Sequence, residues 1–426
     1  DLIGDGWQVT RHDVPRQNNR DLNANLKNAI ALREWLRTRY NEDPFGQHTV
    51  ILVGHVPILM SGNAAPDGHG GRPHPTDLFY ADMDGRWSLL RKGEGLDSRV
   101  PSDFIEMQVG RIDLAPVSEG KKETEIRLLR AYFDKNHHWR MGYLGDLRDA
   151  YGKAGHLAVE RAALRNVVGA KNLKFGGHHD VGEEKPWLLG VDFGDWNGGR
   201  YAAEYANKAI FAINFGSHKQ MIHGPFNGMT ALLAQDWYPV AVGWGARPAW
   251  WLHHMALGDS IGDVHMRTVN NGRAAEPYRD SMDYFPSGGY LMRNGIWVNL
   301  LGDPTLRAFP LTPPQKVITT PTESGMKLSW QPSPDPDTQS YQIFRKGPDE
   351  DAFTRLGGAY PVTETNYIDT GAPEGARYMV RAFGLKDVYA GSFYTLSQGA
   401  YVSDTLALEA HMSLFAPTRL STPLPD

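Results

Sequence analysis

The stretch that decides the fold is Lys208-Ala-Ile-Phe-Ala-Ile-Asn-Phe-Gly216-Ser217-His218-Lys219. An apolar run of strand length breaks at a glycine and then offers a hydroxyl and an imidazole. Open α/β sheets present reactive groups in this way, at the carboxyl ends of their strands. If the chain has an active centre, this is where the sequence puts it.

Working outward, Thr49-Val-Ile-Leu-Val-Gly54 is a second continuous apolar run ending in glycine, the pattern of a strand buried on both faces of a parallel sheet. Trp187–Phe193, 104–110 and 240–244 read as further strands. Helical spacing marks 22–40, 118–135, 157–168 and 227–234, with shorter candidates at 199–207 and 248–258. A turn around Gly4 and Gly6 leads into an expected strand over Trp7–Val14. Strands alternating with helices predict an α/β fold with a mostly parallel sheet.

Prolines 310, 313 and 314 mark an expected linker, after which short alternating strands with turn residues between them predict an all-β sandwich. The expected organisation is an α/β domain over 1–309, a β-sandwich over 310–403 and a loosely held tail over 404–426.

Composition narrows the function classes. At 426 residues the chain is long enough for two domains, and a net charge of −5 with interspersed signs offers no footprint for nucleic acid. No segment approaches the length of uninterrupted apolar residues that spans a bilayer. The absence of cysteine excludes disulfides, thiolate metal sites and a thiol nucleophile. Residue 1 is Asp, the expectation for a processed or trimmed chain or a piece of a longer one; with no cysteine and many Trp, Tyr and Gly, the composition fits an exported bacterial protein, secreted or at the cell surface.

Two resemblances follow. Residues 313–403 resemble a fibronectin type III domain through Leu328-Ser-Trp330, Tyr341-Gln-Ile-Phe-Arg345 and Tyr378-Met-Val-Arg-Ala382. Residues 1–309 resemble the gingipain-like cysteine peptidases of caspase-like fold, in their exported branch. The match rests on Val50-Ile-Leu-Val-Gly-His-Val-Pro57, Thr76-Asp-Leu-Phe-Tyr80 with Asp82-Met-Asp-Gly85, Val109-Gly-Arg-Ile-Asp113 and Leu301-Gly-Asp-Pro-Thr-Leu306.

The resemblance implies a histidine after one sheet strand and a cysteine after the next. Ser217 falls at the cysteine position, and the preceding strand continues as Gly190-Val-Asp-Phe-Gly194 where Gly-His-Gly is expected. Both positions depart from the pattern. A serine needs a general base to become a nucleophile, and the candidates are His179, 38 residues upstream in Gly176-Gly-His-His179, and the adjacent His218. The expectation is a fold that has lost cysteine-peptidase chemistry and works as a binding or structural unit at the cell surface, with protein or polysaccharide as its partner; the alternative is an active hydrolase using Ser217, or carboxylates of the His/Asp loop, on peptide or polysaccharide.

A second constellation lies in the long polar loop after the 49–54 strand: His55, Asp67, His69, His74, Asp77, Asp82 and Asp84. Loops of this length in a compact domain are usually functional. The carboxylates Asp77, Asp82 and Asp84 suit calcium, and the imidazoles His69 and His74 suit zinc; an Asp-capped loop closing the sheet edge needs no metal at all. A third group, Trp237, Tyr238, Trp244, Trp250 and Trp251, is a sugar-stacking platform if exposed and core if buried.

Overall fold

The structure is a computed structural model that describes residues 1–18, 20–61, 66, 72–85, 87, 104–153, 155–177, 186–193, 208–224, 227–245, 247–273, 295–358 and 360–402. The expected helix at 199–207 and the tail from 403 lie outside the described residues.

Helix α1 (Leu22–Glu42) starts where the Asp21 carboxylate accepts the Ala24 N–H, and it buries Ala29, Leu32 and Leu36. It precedes strand β1 (Thr49–Val53). The loop that follows carries a small antiparallel pair, β2 (Leu59–Met60) with β3 (Pro75–Thr76). Then come β4 (Gln108–Ile112), α2 (Lys122–Arg140), β5 (Ala150–Gly152), α3 (Ala158–Val168) and β6 (Leu173–Phe175). Strand β7 (Trp187–Phe193), β8 (Ala209–Phe215), α4 (Gly228–Leu233), β9 (Ala241–Trp244), α5 (Ile261–Arg273) and β10 (Leu300–Gly302) complete the layer.

These strands form one eight-stranded sheet in the order β1-β4-β10-β9-β8-β7-β5-β6. Every neighbouring pair is parallel except β10 with β9. All seven residues of β8 are buried, as a central strand covered on both faces requires. The single antiparallel joint has a direct consequence for function. It places the carboxyl ends of β1, β4 and β10 on the sheet edge opposite to those of β5 to β9.

Some expectations are corrected. Trp7–Val14 forms no strand: most of it is exposed, and the His12 ring instead stacks on Trp35 of α1, centroids 4.3 Å apart. Only the second half of 248–258 is helical, a 3-10 turn at Leu252–Leu257. Tertiary bonds draw the first half out, since Trp250 Nε1 donates to the Trp244 carbonyl and Trp251 N–H to Thr268 Oγ1. Helix α5 escapes the sequence reading because its buried face includes His265 and Thr268, which blur the apolar period.

The second region is antiparallel. Strands β11 (Gln315–Thr322), β12 (Gly325–Gln331) and β15 (Asn366–Asp369) form one sheet. Strands β13 (Thr338–Lys346), β14 (Thr354–Arg355), β16 (Arg377–Val388), β17 (Gly391–Leu396) and β18 (Ala400–Tyr401) form the other. The two close over a shared core of Val317, Leu328, Trp330, Tyr341, Ile343, Tyr378 and Val380.

The expected linker is not loose. Phe309 and Leu311 are buried, and Ser333 Oγ donates to the Thr312 carbonyl at 2.6 Å. The β16–β17 hairpin packs on the α/β layer, its Val388 entering the large core with Phe393 against it. Contact is close enough that a Cβ on Gly258, at φ 90°, would stand 2.7 Å from the Phe393 ring. Only glycine fits there.

Candidate functional site

At the carboxyl end of β8 the chain turns through Gly216, Ser217 and His218, all half-buried, with Lys219 and Gln220 buried behind them. Trp244 Nε1 donates to the Gly216 carbonyl at 3.0 Å, and Asn227 Nδ2 to the Lys219 carbonyl at 2.8 Å, so the turn is held from β9 and from the start of α4. His218 sits at φ 67°, a left-handed conformation that costs a residue with a Cβ about 1 kcal/mol.

The loop between β2 and β3 returns over this edge. Arg72 donates through Nη2 to His218 Nδ1, and Arg247 Nη1 donates to the Pro66 carbonyl at 2.8 Å. The described chain also reaches this edge at Gly177, where a Cβ would stand 2.6 Å from the buried Asp192 carboxylate of β7. His179 lies outside the described residues.

The loop constellation separates. Asp77 stands on the sheet face, where its carboxylate takes Arg111 Nε at 2.9 Å and Nη2 at 2.7 Å. His74 is fully buried, its N–H donating to Ser61 Oγ at 3.1 Å. His69 lies outside the described residues. On the opposite edge from Ser217, His55 Nδ1 meets Asp113 Oδ2 at 2.7 Å.

Among the described residues, the acidic group that does assemble is Asp82, Asp84 and Glu106, with one oxygen of each within 4.8 Å of the others. The Met83 N–H donates to Glu106 Oε2 and the Gly85 N–H to Asp82 Oδ1, both at 2.6 Å. An all-oxygen set suits a hard cation such as calcium and lacks the imidazole that zinc favours. The sequence reading missed Glu106 because it is 22 residues past Asp84. What brings it in is the Ala81 carbonyl, which accepts the N–H groups of Glu106 and Met107.

Burial, with the nearby Asp84 and Asp82 charges adding to it, pushes Glu106 up from 4.5 to about 7. A carboxyl group raised in this way contributes its full stability below about pH 4.5 and loses it as pH rises to about 7. Glu106→Gln is therefore expected to raise the melting temperature at pH 8 in the presence of EDTA and to leave it unchanged at pH 4.5. After solvent screening the gain is about 1 kcal/mol. Millimolar calcium should stabilise the parent chain at pH 8 and not the variant; equal responses would remove the cation from consideration.

The aromatic group also splits. Trp244 and Trp250 are core, and Trp251 is half-buried beside His254, ring planes within 9°. Trp237 is 61% exposed.

Fold and site together define a mixed α/β protein with a mostly parallel eight-stranded sheet, a polar turn at the end of its central strand, and an antiparallel β region docked against it. No family model matches the chain, and no curated protein matches it. It is similar in structure to a solved chain described as "Structure of Protease", at TM-score 0.47 and 10% identity over 87% of each chain. It is also similar to an Fn3-like protein from Clostridium thermocellum, at TM-score 0.16 and 23% identity over 21% of this chain and 88% of that one. A third similar structure is the Clostridium perfringens spore cortex lytic enzyme SleM, at TM-score 0.17 and 11% identity over 68% of this chain and 80% of that one.

Proposed function

We propose that this chain is an exported, gingipain-like protein without peptidase chemistry, which binds protein or polysaccharide at the outer cell surface, its β region being a fibronectin type III module. The observation that carries the reading is that the turn after β8 presents Ser217 where the resemblance places a cysteine, in a chain without any cysteine. A serine hydroxyl is a poor nucleophile at its ordinary pKa, whereas a cysteine thiol is partly ionised already.

The test is covalent labelling with a fluorophosphonate probe on the full chain. The expected result is no incorporation above that of Ser217→Ala, together with no turnover of a mixed peptide library. Labelling of the parent chain that disappears in Ser217→Ala overturns the reading and leaves the hydrolase alternative, with His179 as its base. Arg72→Ala separates the cause, since incorporation that appears only in that variant means the guanidinium is what holds the serine inert.

A further inference from the structure

Away from the β8 edge, the last turn of α2 and the turn after α4 form an exposed aromatic shelf. Trp237 is 61% exposed and Tyr143 is 57% exposed. Between them lies His138, half-buried, its centroid 6.4 Å from Trp237 with planes 19° apart and 5.6 Å from Tyr143. His137 meets Tyr143 at 6.3 Å, and Phe133, one helical turn before His137, is 43% exposed. Lone exposed aromatics are common on protein surfaces; a contiguous row of them marks a binding face.

The shelf is rigid. Lys135, buried beneath it, donates to the Leu233 carbonyl at 2.6 Å and the Gln235 carbonyl at 2.7 Å, which fixes the turn that carries Trp237. A platform held in place before binding loses little conformational entropy on binding.

Charge then selects the ligand. Burial lowers the affinity of His137 and His138 for protons, which disfavours positive charge on the shelf. The charged groups around it are the exposed carboxylates Asp134, which acts on both imidazoles, and Asp236, which acts on Lys135, with Asp1 Oδ1 2.9 Å from His137 Nδ1 and the terminal ammonium close by. Anions are repelled, which excludes nucleic acid although its bases could stack. A quaternary ammonium is best held by rings that enclose it, whereas Trp237 and His138 are close to parallel and open to solvent. What fits is a neutral ring with one apolar C–H face to lie on indole and hydroxyls at its edge to donate to carboxylates.

We propose that Trp237, His138 and Tyr143 form a carbohydrate-binding site for neutral polysaccharide whose pyranose rings carry equatorial hydroxyls, with Asp134 and Asp236 accepting from those hydroxyls and Lys135 as a positioning residue. The inference deepens the binding reading above and rests on it. It commits that reading to polysaccharide at one surface.

The experiment is a fluorescence and calorimetric titration of the full chain with cellohexaose and with chitohexaose, using Trp237→Ala and, as a control for general aromatic loss, Phe45→Ala, which removes a 99% exposed ring elsewhere. The expected result is saturable quenching of tryptophan emission by at least one hexaose, weakened at least tenfold in Trp237→Ala and unchanged in Phe45→Ala, with the melting temperature of all three chains alike. Equal affinity in Trp237→Ala would overturn the site while leaving sugar binding intact. Quenching by tetramethylammonium without any response to either hexaose would assign the shelf to cations and overturn the proposal. Silence to all three ligands also overturns it, and leaves protein as the partner in the broader reading.

Discussion

Asp77→Ala is expected to lower the stability of the α/β domain by about 3–5 kcal/mol, the usual cost of removing one partner from a fully buried ion pair. Arg111 is 1% exposed and cannot shed its proton. Burial alone would lower the pKa of Arg111, yet the Asp77 carboxylate outweighs that effect and holds it above its ordinary value. Without Asp77 the guanidinium keeps the Val56 carbonyl at 2.8 Å and a distant Asp113 at 3.7 Å. Those contacts leave most of a buried charge uncompensated. Thermal and urea melts should show the loss equally with calcium and with EDTA. A calcium-dependent difference would mean that Asp77 is a metal ligand after all, and an unchanged midpoint would remove the ion pair from any role in stability. The double change Asp77→Leu with Arg111→Met should recover most of the deficit, because an apolar pair of similar volume needs no desolvation.

The second large effect is expected from Asp5→Ala. Asp5 Oδ2 lies 3.0 Å from Arg140 Nη1 on α2, while Oδ1 lies 3.2 Å from Arg381 Nη2 on β16 and 3.8 Å from Arg307. One carboxylate therefore joins the N-terminal turn, the α/β layer and the β region. Burial pushes Arg381 down to about 10 even with Asp5 opposite it. Arg140 retains Asp303 at 2.7 Å in the variant, but Arg381 keeps only the Ser397 carbonyl. The expected loss is about 3 kcal/mol, concentrated at the interface between the two regions. Limited trypsin digestion should then cut after Arg307 in Asp5→Ala at concentrations that spare the parent chain. Equal protection of the two chains would show that the packing of Phe393 and Val388 alone holds the regions together.

The β8 strand was legible at its true bounds, 209–215, and so was β7 at 187–193, because a run of apolar residues ended by glycine is a local signal. Three-residue strands such as β5, β6 and β10 carry no such signal and exist only through their neighbours. The same division runs through the site. Asp82 and Asp84 are separated by one residue and were readable as a pair. Their companion Glu106 comes through a backbone bond to Ala81, and Asp77, two residues past Pro75 in the same acidic stretch, is taken instead by Arg111 from β4.

By itself, then, the sequence determined the α/β class, the β region that follows it, the absence of thiol chemistry, and Ser217-His218 at the end of a buried strand. Those follow from composition and from periods of two and 3.6 residues, which each segment carries alone. Only the tertiary structure decided that β9 and β10 meet antiparallel and send His55 and Ser217 to opposite edges. It alone set Arg72 against His218, and it alone left Trp237 in solvent while burying Trp244 and Trp250. The physical reason is that which polar groups meet depends on strand order and direction, set by packing the whole core at once. Apolar periodicity says that a residue is buried; it carries no information about what it is buried against.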